Sequence, residues 1–528
     1  MVNVALHRRD VLAGATALAV AGGANAQTDA RKILRVVPQA DPPILDPVFG
    51  NSTIALIHGT MIYESLFALD SKLQPHPQMV STWSVSNDGL TWRFALRDGL
   101  KFHDGAPVTT ADVIASMQRW MGIDTGGRRI AAVTDKMVPT ETNTFEWRLT
   151  HPYPNMVLTL ASLPARFAAV MRAADLKEPG KPISTAVGSG PFRFVHAERV
   201  SGAKIVYEKN HDYIPRSEPP DGLAGGRIVK VDRVEWNIIP DPSTAALALQ
   251  SGEVDFVEKP SFDLIPTLAK NPQIKLRVIV DLASHGMLIT NWLYPPFNDM
   301  HARQALAYII NQEEALIGGF GEDRQWWRTC HSYFVCGSPY GTSVGTEDFG
   351  PNPERAKRLL QESGYKGEKL IFPSTHDISW LGQTAEVLAS QMRGAGLNVE
   401  ILWHDWATTV PIVNKQDPPD KGGWNLFYTA GPGPIMFNPA TNLGTDMSCD
   451  RKNFIGWPCD ETAEKLRQSW VEADEAARPA LLDKLHRRLA EVQPYLVVGQ
   501  SYQPVAHRAN LSGVLSSPVI TYWNIDKT

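Results

Sequence analysis

Short strand-like runs and capped helix-like runs alternate along this chain, with no fixed-period repeat and no low-complexity tract, and a chain patterned in that way folds as an α/β protein. Lys32 to Val37 is an apolar run that reads as a first strand. In Thr91-Trp92-Arg93-Phe94-Ala95-Leu96-Arg97 the side chains alternate: Trp92, Phe94 and Leu96 face one side, and Thr91, Arg93 and Arg97 the other. Asp98-Gly99 and Asp104-Gly105 then mark tight turns. Thr109 with Asp112 forms a capping box ahead of a helix whose apolar face carries Val113, Met117 and Trp120. Asp241-Pro242 opens another helix, Gly252 ends it, and Val254-Asp255-Phe256 returns as a strand. Asn352-Pro353 repeats that start and Gly364 supplies the stop, with Ala356, Leu359 and Leu360 on the apolar face. Glu461 to Val492 reads as helical up to the break at Pro494, and Tyr495 to Gly499 as a buried strand. Lys415 to Pro439 reads instead as a loop: Pro418-Pro419, Gly422-Gly423 and Gly431-Pro432-Gly433-Pro434 are interleaved with Trp424, Phe427, Tyr428 and Phe437. Loops of this kind tend to carry function.

The N-terminus has the form of an export signal. Arg8 and Arg9 precede an uncharged run from Val11 to Ala26 that closes on Ala24-Asn25-Ala26, a small-residue cleavage pattern. The paired arginines resemble the twin-arginine type. A membrane anchor is the competing reading, and Gly14, Gly22, Gly23 and Asn25 interrupt a run already short for spanning. No later stretch of about 20 apolar residues follows, and no lipobox Cys stands near the signal end. The mature chain is expected to begin near Gln27 with about 500 residues, too many for one core, so two or three lobes are expected. A formal charge of −5 leaves no basic footprint for nucleic acid. Charged residues at 20% and hydrophobic residues at 43% describe a globular chain rather than a disordered one. The even count of four Cys in an exported chain suggests two short-loop disulfides, Cys330 with Cys336 and Cys449 with Cys459. Zinc is the other reading, weakened because neither spacing is C-x2-C.

Catalytic motifs are weak. Gly341-Thr342-Ser343-Val344-Gly345 matches the nucleophile elbow in letters, but that motif needs a strand before it and a helix after it, and both flanks here are loop-like. His103-Asp104 could suggest acid–base work, yet Asp104-Gly105 makes a hairpin turn the simpler account. No H-E-x-x-H, Walker or EF-hand pattern occurs. The chain is therefore expected not to be an enzyme, with no metal and no cofactor.

Five blocks occur in an order that resembles the extracellular solute-binding proteins of family 5, which serve dipeptide, oligopeptide and nickel ABC transporters. The first runs from Tyr63-Glu64-Ser65-Leu66-Phe67 through Trp83 to Leu90, Trp92-Arg93-Phe94, Leu96 to Gly99 and Lys101 to Gly105, ending at Pro107 to Val113. The second is Gly188-Ser189-Gly190-Pro191-Phe192 with Tyr207-Glu208-Lys209-Asn210 and Tyr213. Leu249 to Asp255, Asn291 through Arg303-Gln304-Ala305-Leu306, and Ala356 to Leu360 with Gly364 complete the set. No single block is decisive; their order is specific.

The resemblance implies a two-lobe periplasmic binding protein, a Venus-flytrap of type II, cluster C-like, with an extra subdomain. Lobe I would span 27–284, lobe II 285–498, and 499–528 would return to lobe I, making a two-strand hinge. It implies a substrate-binding component of an ABC importer: a monomer that captures short peptides or peptide-like solutes in the periplasm and delivers them to the membrane permease subunits. Ligand contacts are implied after the first strand, at Gln39, Ala40 and Asp41, and in the aromatic loop, at Trp424, Tyr428, Ala430, Gly431 and Phe437. Trp403, Trp406 and Trp457 lie near the same implied cleft. In peptide-binding relatives an acid in that loop pairs with the peptide ammonium, whereas here no Asp or Glu occurs between Gly422 and Thr445. Asp446 or Asp450 could substitute. That departure keeps nickel complexes, opines, oligosaccharides and haem open as solutes, with an exported hydrolase or a ligand-free chaperone further off.

Overall fold

In the computed structural model, which describes residues 32–528 apart from 51, 163–165, 179 and 450–454, the first apolar run forms the strand Ile33–Val37. The export signal, the Gln27 start and Asp450 lie outside the described residues. Ile33–Val37 sits inside a seven-stranded sheet between Arg233–Asn237 and Phe256–Val257, and it runs parallel to both. Val36 faces Trp236 on one side and Phe256 on the other, and all three are fully buried. The chain reaches Phe256–Val257 through the helix Pro242–Ser251, capped by the Asp241 carboxylate on the Thr244 N–H and closed by Gly252 in the left-handed region. Strands Val505–Arg508 and Ile274–Arg277 extend the sheet antiparallel.

A second sheet, four-stranded and antiparallel, follows the order Trp327–Arg328, Tyr495–Ser501, Ser284–Thr290, Leu426–Gly431. Its centre is apolar on both faces: Leu288, Ile289, Val497 and Val498 are all buried. Such two-sided burial produces a continuous apolar run rather than an alternating one. Gly286 is required here, because a Cβ would lie 2.9 Å from the Val498 carbonyl oxygen. The parallel pair Lys369–Thr375 and Asn398–His404 is held to this sheet by Asn425, whose N–H donates to Ile371 O and whose carbonyl oxygen Oδ1 accepts from Ile371 N–H.

These two sheets are the cores of two lobes. The chain changes sheet within 278–283 and returns within 502–504, so the strand Tyr495–Ser501 stays in the second sheet past Gly499. A third sheet, antiparallel in the order Val80–Val85, Thr91–Leu96, Thr144–Leu149, Thr134–Pro139, stands as a subdomain. Trp92, Phe94 and Leu96 are its buried face. The capping box at Thr109 and Asp112 is formed in both directions, and Val113, Met117 and Trp120 of the helix Thr110–Ile123 are fully buried.

Two local expectations are corrected. The segment 415–439 is not one irregular loop, since it contains the strand Leu426–Gly431 and the short helix Gly433–Met436. Burial on both faces gives Leu426, Phe427 and Tyr428 no alternation to read, and the flanking Gly and Pro disguised the strand. The stretch 461–492 is not one helix either. Glu461–Glu472 ends at Ala473, and a new helix, Arg478–Val492, begins with Pro479 in its first turn. Proline has no N–H and would clash with the carbonyl four residues back, so it sits at a helix start and not within one. Both cysteine pairs, Cys330–Cys336 and Cys449–Cys459, are disulfides, which leaves no thiolate for zinc.

Candidate functional site

Where two parallel strands end side by side, the next residues face the space beyond the sheet, which is where α/β folds place ligands. Here the ends of Ile33–Val37 and Phe256–Val257 bring Gln39 and Glu258 together: the Gln39 N–H donates to Glu258 Oε2 at 2.8 Å, and the Glu258 N–H continues the pairing to Val37 O at 3.0 Å. Both residues line a cleft between the lobes that encloses about 1330 Å³, part of it open to solvent. Lys259 and Phe262 follow on the same wall.

The helix Thr53–Ile62 presents its first turn to the cleft through Ser52, Thr53 and Leu56. It is placed by the loop before it. Asp46, fully buried, forms an ion pair with Arg119 and accepts from the Val48 and Ile183 N–H groups at 3.0 and 2.8 Å. Its carbonyl oxygen accepts from Gly50 N–H at 2.7 Å.

Lobe II supplies the facing wall: Phe320 at the end of the helix Gln312–Phe320, Trp380 at the start of Ser379–Gly394, and Ala430 with Pro432, Gly433, Pro434 and Ile435. Gly433 has to be glycine, because a Cβ would sit 2.3 Å from Leu282 O and 2.6 Å from Ala283 O. That close approach lays the end of the lobe II strand on the crossing segment, and Ile279, Val280, Leu282 and Ala283 of that segment also line the cleft. Rings connect the lobes: Phe262 meets Phe320 edge-on at 5.0 Å, Phe320 stacks on Trp380 at 5.5 Å, and Trp380 meets Tyr428 at 6.2 Å.

Glu258 and Lys259 are the charged side chains of this lining. Glu258 is 1% exposed, and besides Gln39 it accepts from the Tyr522 hydroxyl. Burial outweighs those two hydrogen bonds and raises its pKa to about 7. Lys259 is open to the cleft, yet protein packs it closely enough for desolvation to lower its pKa.

The expected site residues divide. Gln39 and Ala430 line the cleft; Ala40, Asp41, Trp424, Tyr428, Gly431 and Phe437 do not. Asp41 accepts from the Gly202 N–H at 2.7 Å instead. Trp424 and Phe437 are fully buried, against Phe427 and Trp457 and against Tyr340 respectively. Tyr428, 1% exposed, touches Trp380 from within lobe II. Trp403 stacks on His376, and Trp406 on Phe427. Asp446 is buried 3.7 Å from Arg467. Sequence reasoning missed Glu258, Lys259, Phe262, Phe320 and Trp380. The first two lie just beyond the strand expected at Val254-Asp255-Phe256, a position that by itself does not mark a site. Ser343 lies in a turn with neither strand before nor helix after it. His103 is structural: its imidazole takes Gly188 N–H at 3.2 Å and meets Gly190 O at 3.1 Å, and burial lowers its pKa to about 4.

Two lobes joined by two crossings, with a ligand-sized cleft beside the crossings, define a solute-binding fold. Residues 74–454 match the family described as bacterial extracellular solute-binding proteins, family 5 (middle), and the chain belongs to that family. It is 35% identical to a probable peptide ABC transporter periplasmic-binding protein of Sinorhizobium fredii over 99% of both chains. Its fold is similar to that of AgaA of A. tumefaciens R10, solved with agropinic acid, at a TM-score of 0.75 and 23% identity over 94% of this chain and 99% of that one. It is also similar to DppA of Helicobacter pylori, solved with the peptide STSA, at a TM-score of 0.75 and 20% identity over 94% of this chain and 98% of that one.

Proposed function

We propose that this protein is the substrate-binding component of an ABC importer, capturing a short peptide or peptide-like solute outside the cytoplasm and presenting it to membrane permease subunits. The observation that carries this reading is the cleft itself, walled by both lobes and by the crossing segment. A solute held there touches both lobes only when they are closed, so binding favours the closed form, and a permease can distinguish the two states. The full-length similarity to a peptide-transporter binding protein supports the same role. The twin-arginine-like start and the two disulfides suit a periplasmic location after export. In this reading the chain serves as a monomeric binding component and not as an enzyme, in keeping with a relative described as a binding protein of an ABC transporter. The fold likeness to a protein solved with agropinic acid keeps an opine-like solute as a second reading.

Native mass spectrometry of protein from the extracytoplasmic fraction tests this. A small mass that leaves on unfolding is the expected result. Solute at 100 times its dissociation constant should then add about 2.7 kcal/mol to the refolded protein's stability. A panel of peptides, opines and metal complexes that leaves the melt unmoved would overturn the transport role.

A further inference from the structure

The geometry points to Lys259 as the residue that receives a carboxylate of the bound solute, so that the cleft selects anionic solutes whose amine is blocked or absent. This rests on the solute-binding reading above and names its substrate class.

Three observations converge. First, Lys259 has no hydrogen-bond or ion-pair partner among the described residues, although it opens into the cleft. Burial by the surrounding protein lowers its pKa, and no ion pair to the adjacent Glu258, whose oxygens accept from Gln39 N–H and the Tyr522 hydroxyl, offsets that. An ammonium so placed gains most from an incoming anion. Second, the one carboxylate of the lining is already engaged. Both Glu258 oxygens accept hydrogen bonds from the protein, from Gln39 N–H and the Tyr522 hydroxyl, and the group is 1% exposed. It is therefore a poor partner for a solute ammonium. Third, the facing wall offers no acid: Ala430 and the run Pro432-Gly433-Pro434-Ile435 carry no charge, and its two prolines carry no N–H. A solute ammonium would be desolvated there with nothing to meet it, whereas a carboxylate meets Lys259. The first turn of Thr53–Ile62 on the same lining adds the positive end of a helix dipole.

Titration calorimetry with three matched probes tests the assignment: N-acetyl-Leu-Leu, which is anionic; Leu-Leu; and Leu-Leu amide, which is cationic. The wild type is expected to bind the acetylated probe most tightly, about tenfold or more over the amide. The Lys259→Met variant should lose that preference, and Lys259→Arg should retain most of it. Each variant's unliganded melt reports whether it folds, and Lys259→Gln stands in if the Met variant does not. Equal or tighter binding of the amide, or an unchanged preference in both neutral variants, overturns the inference and leaves the solute-binding role intact. Failure of all three probes overturns the peptide-like class on which the inference rests, while a co-purified mass would still support the binding role.

Discussion

Glu258 couples the cleft to pH. Its carboxyl is raised from 4.5 to about 7 because burial penalises the charged form more than Gln39 N–H and the Tyr522 hydroxyl favour it. The folded protein therefore keeps a proton that the unfolded chain releases near its ordinary pKa. The corresponding stability is complete below about pH 4.5 and is lost as pH rises through about 7. At 1.36 kcal/mol for each pKa unit, the loss is about 3 kcal/mol. Glu258→Gln is expected to flatten the melting profile over that window relative to wild type, since glutamine keeps an acceptor for Gln39 N–H without ionising. Parallel profiles for the two proteins would show that the carboxyl is not responsible. Nothing in the local pattern around Glu258 or Lys259 separates them from any pair of charged residues after a strand. Only the parallel pairing of Ile33–Val37 with Phe256–Val257 turns them towards the facing lobe.

Among the elements, those whose signals are local were readable. The capping box at Thr109 needs only residues three apart, and the structure contains it, with the Thr109 N–H donating to Asp112 Oδ2 at 2.9 Å. Thr109→Ala is expected to cost about 1 kcal/mol in denaturant unfolding while leaving solute affinity unchanged, because the helix Thr110–Ile123 contributes nothing to the cleft lining. The starts at Asp241-Pro242 and Asn352-Pro353 were legible for the same reason: cap, proline and glycine act within one turn. Leu426–Gly431 was not legible, because a strand is stabilised by a partner distant in sequence, here Ser284–Thr290, and its turn-forming flanks outweighed its short apolar run. The pause between Glu461–Glu472 and Arg478–Val492 does carry a local signal, Pro479 in the first turn of the second helix.

For the molecule as a whole, the contact between Phe262 and Phe320 bears on opening and closing, since one ring belongs to each lobe. Such an aromatic pair is worth about 1 kcal/mol beyond its buried area. Phe262→Ala is expected to shift the balance of unliganded protein about fivefold towards open forms, seen as a larger radius of gyration in small-angle scattering, and saturating solute should reverse the change. An unchanged radius would assign closure to other contacts, such as Asn155 to Val471 O and Arg129 to Ala440 O, which tie the subdomain side to lobe II.

The amino-acid order by itself determined the α/β class, the family and the principal capped helices, because caps, turns and ordered blocks are written in neighbouring residues. The cleft lining was decided only in three dimensions. It gathers residues from Gln39 to Ile520 across two sheets and two crossings. An aromatic side chain also reads the same in sequence whether it fills a core, as Trp424 and Phe437 do, or lines a cleft, as Trp380 does. Burial is set by what packs against a residue from elsewhere in the chain, and no local pattern carries that information.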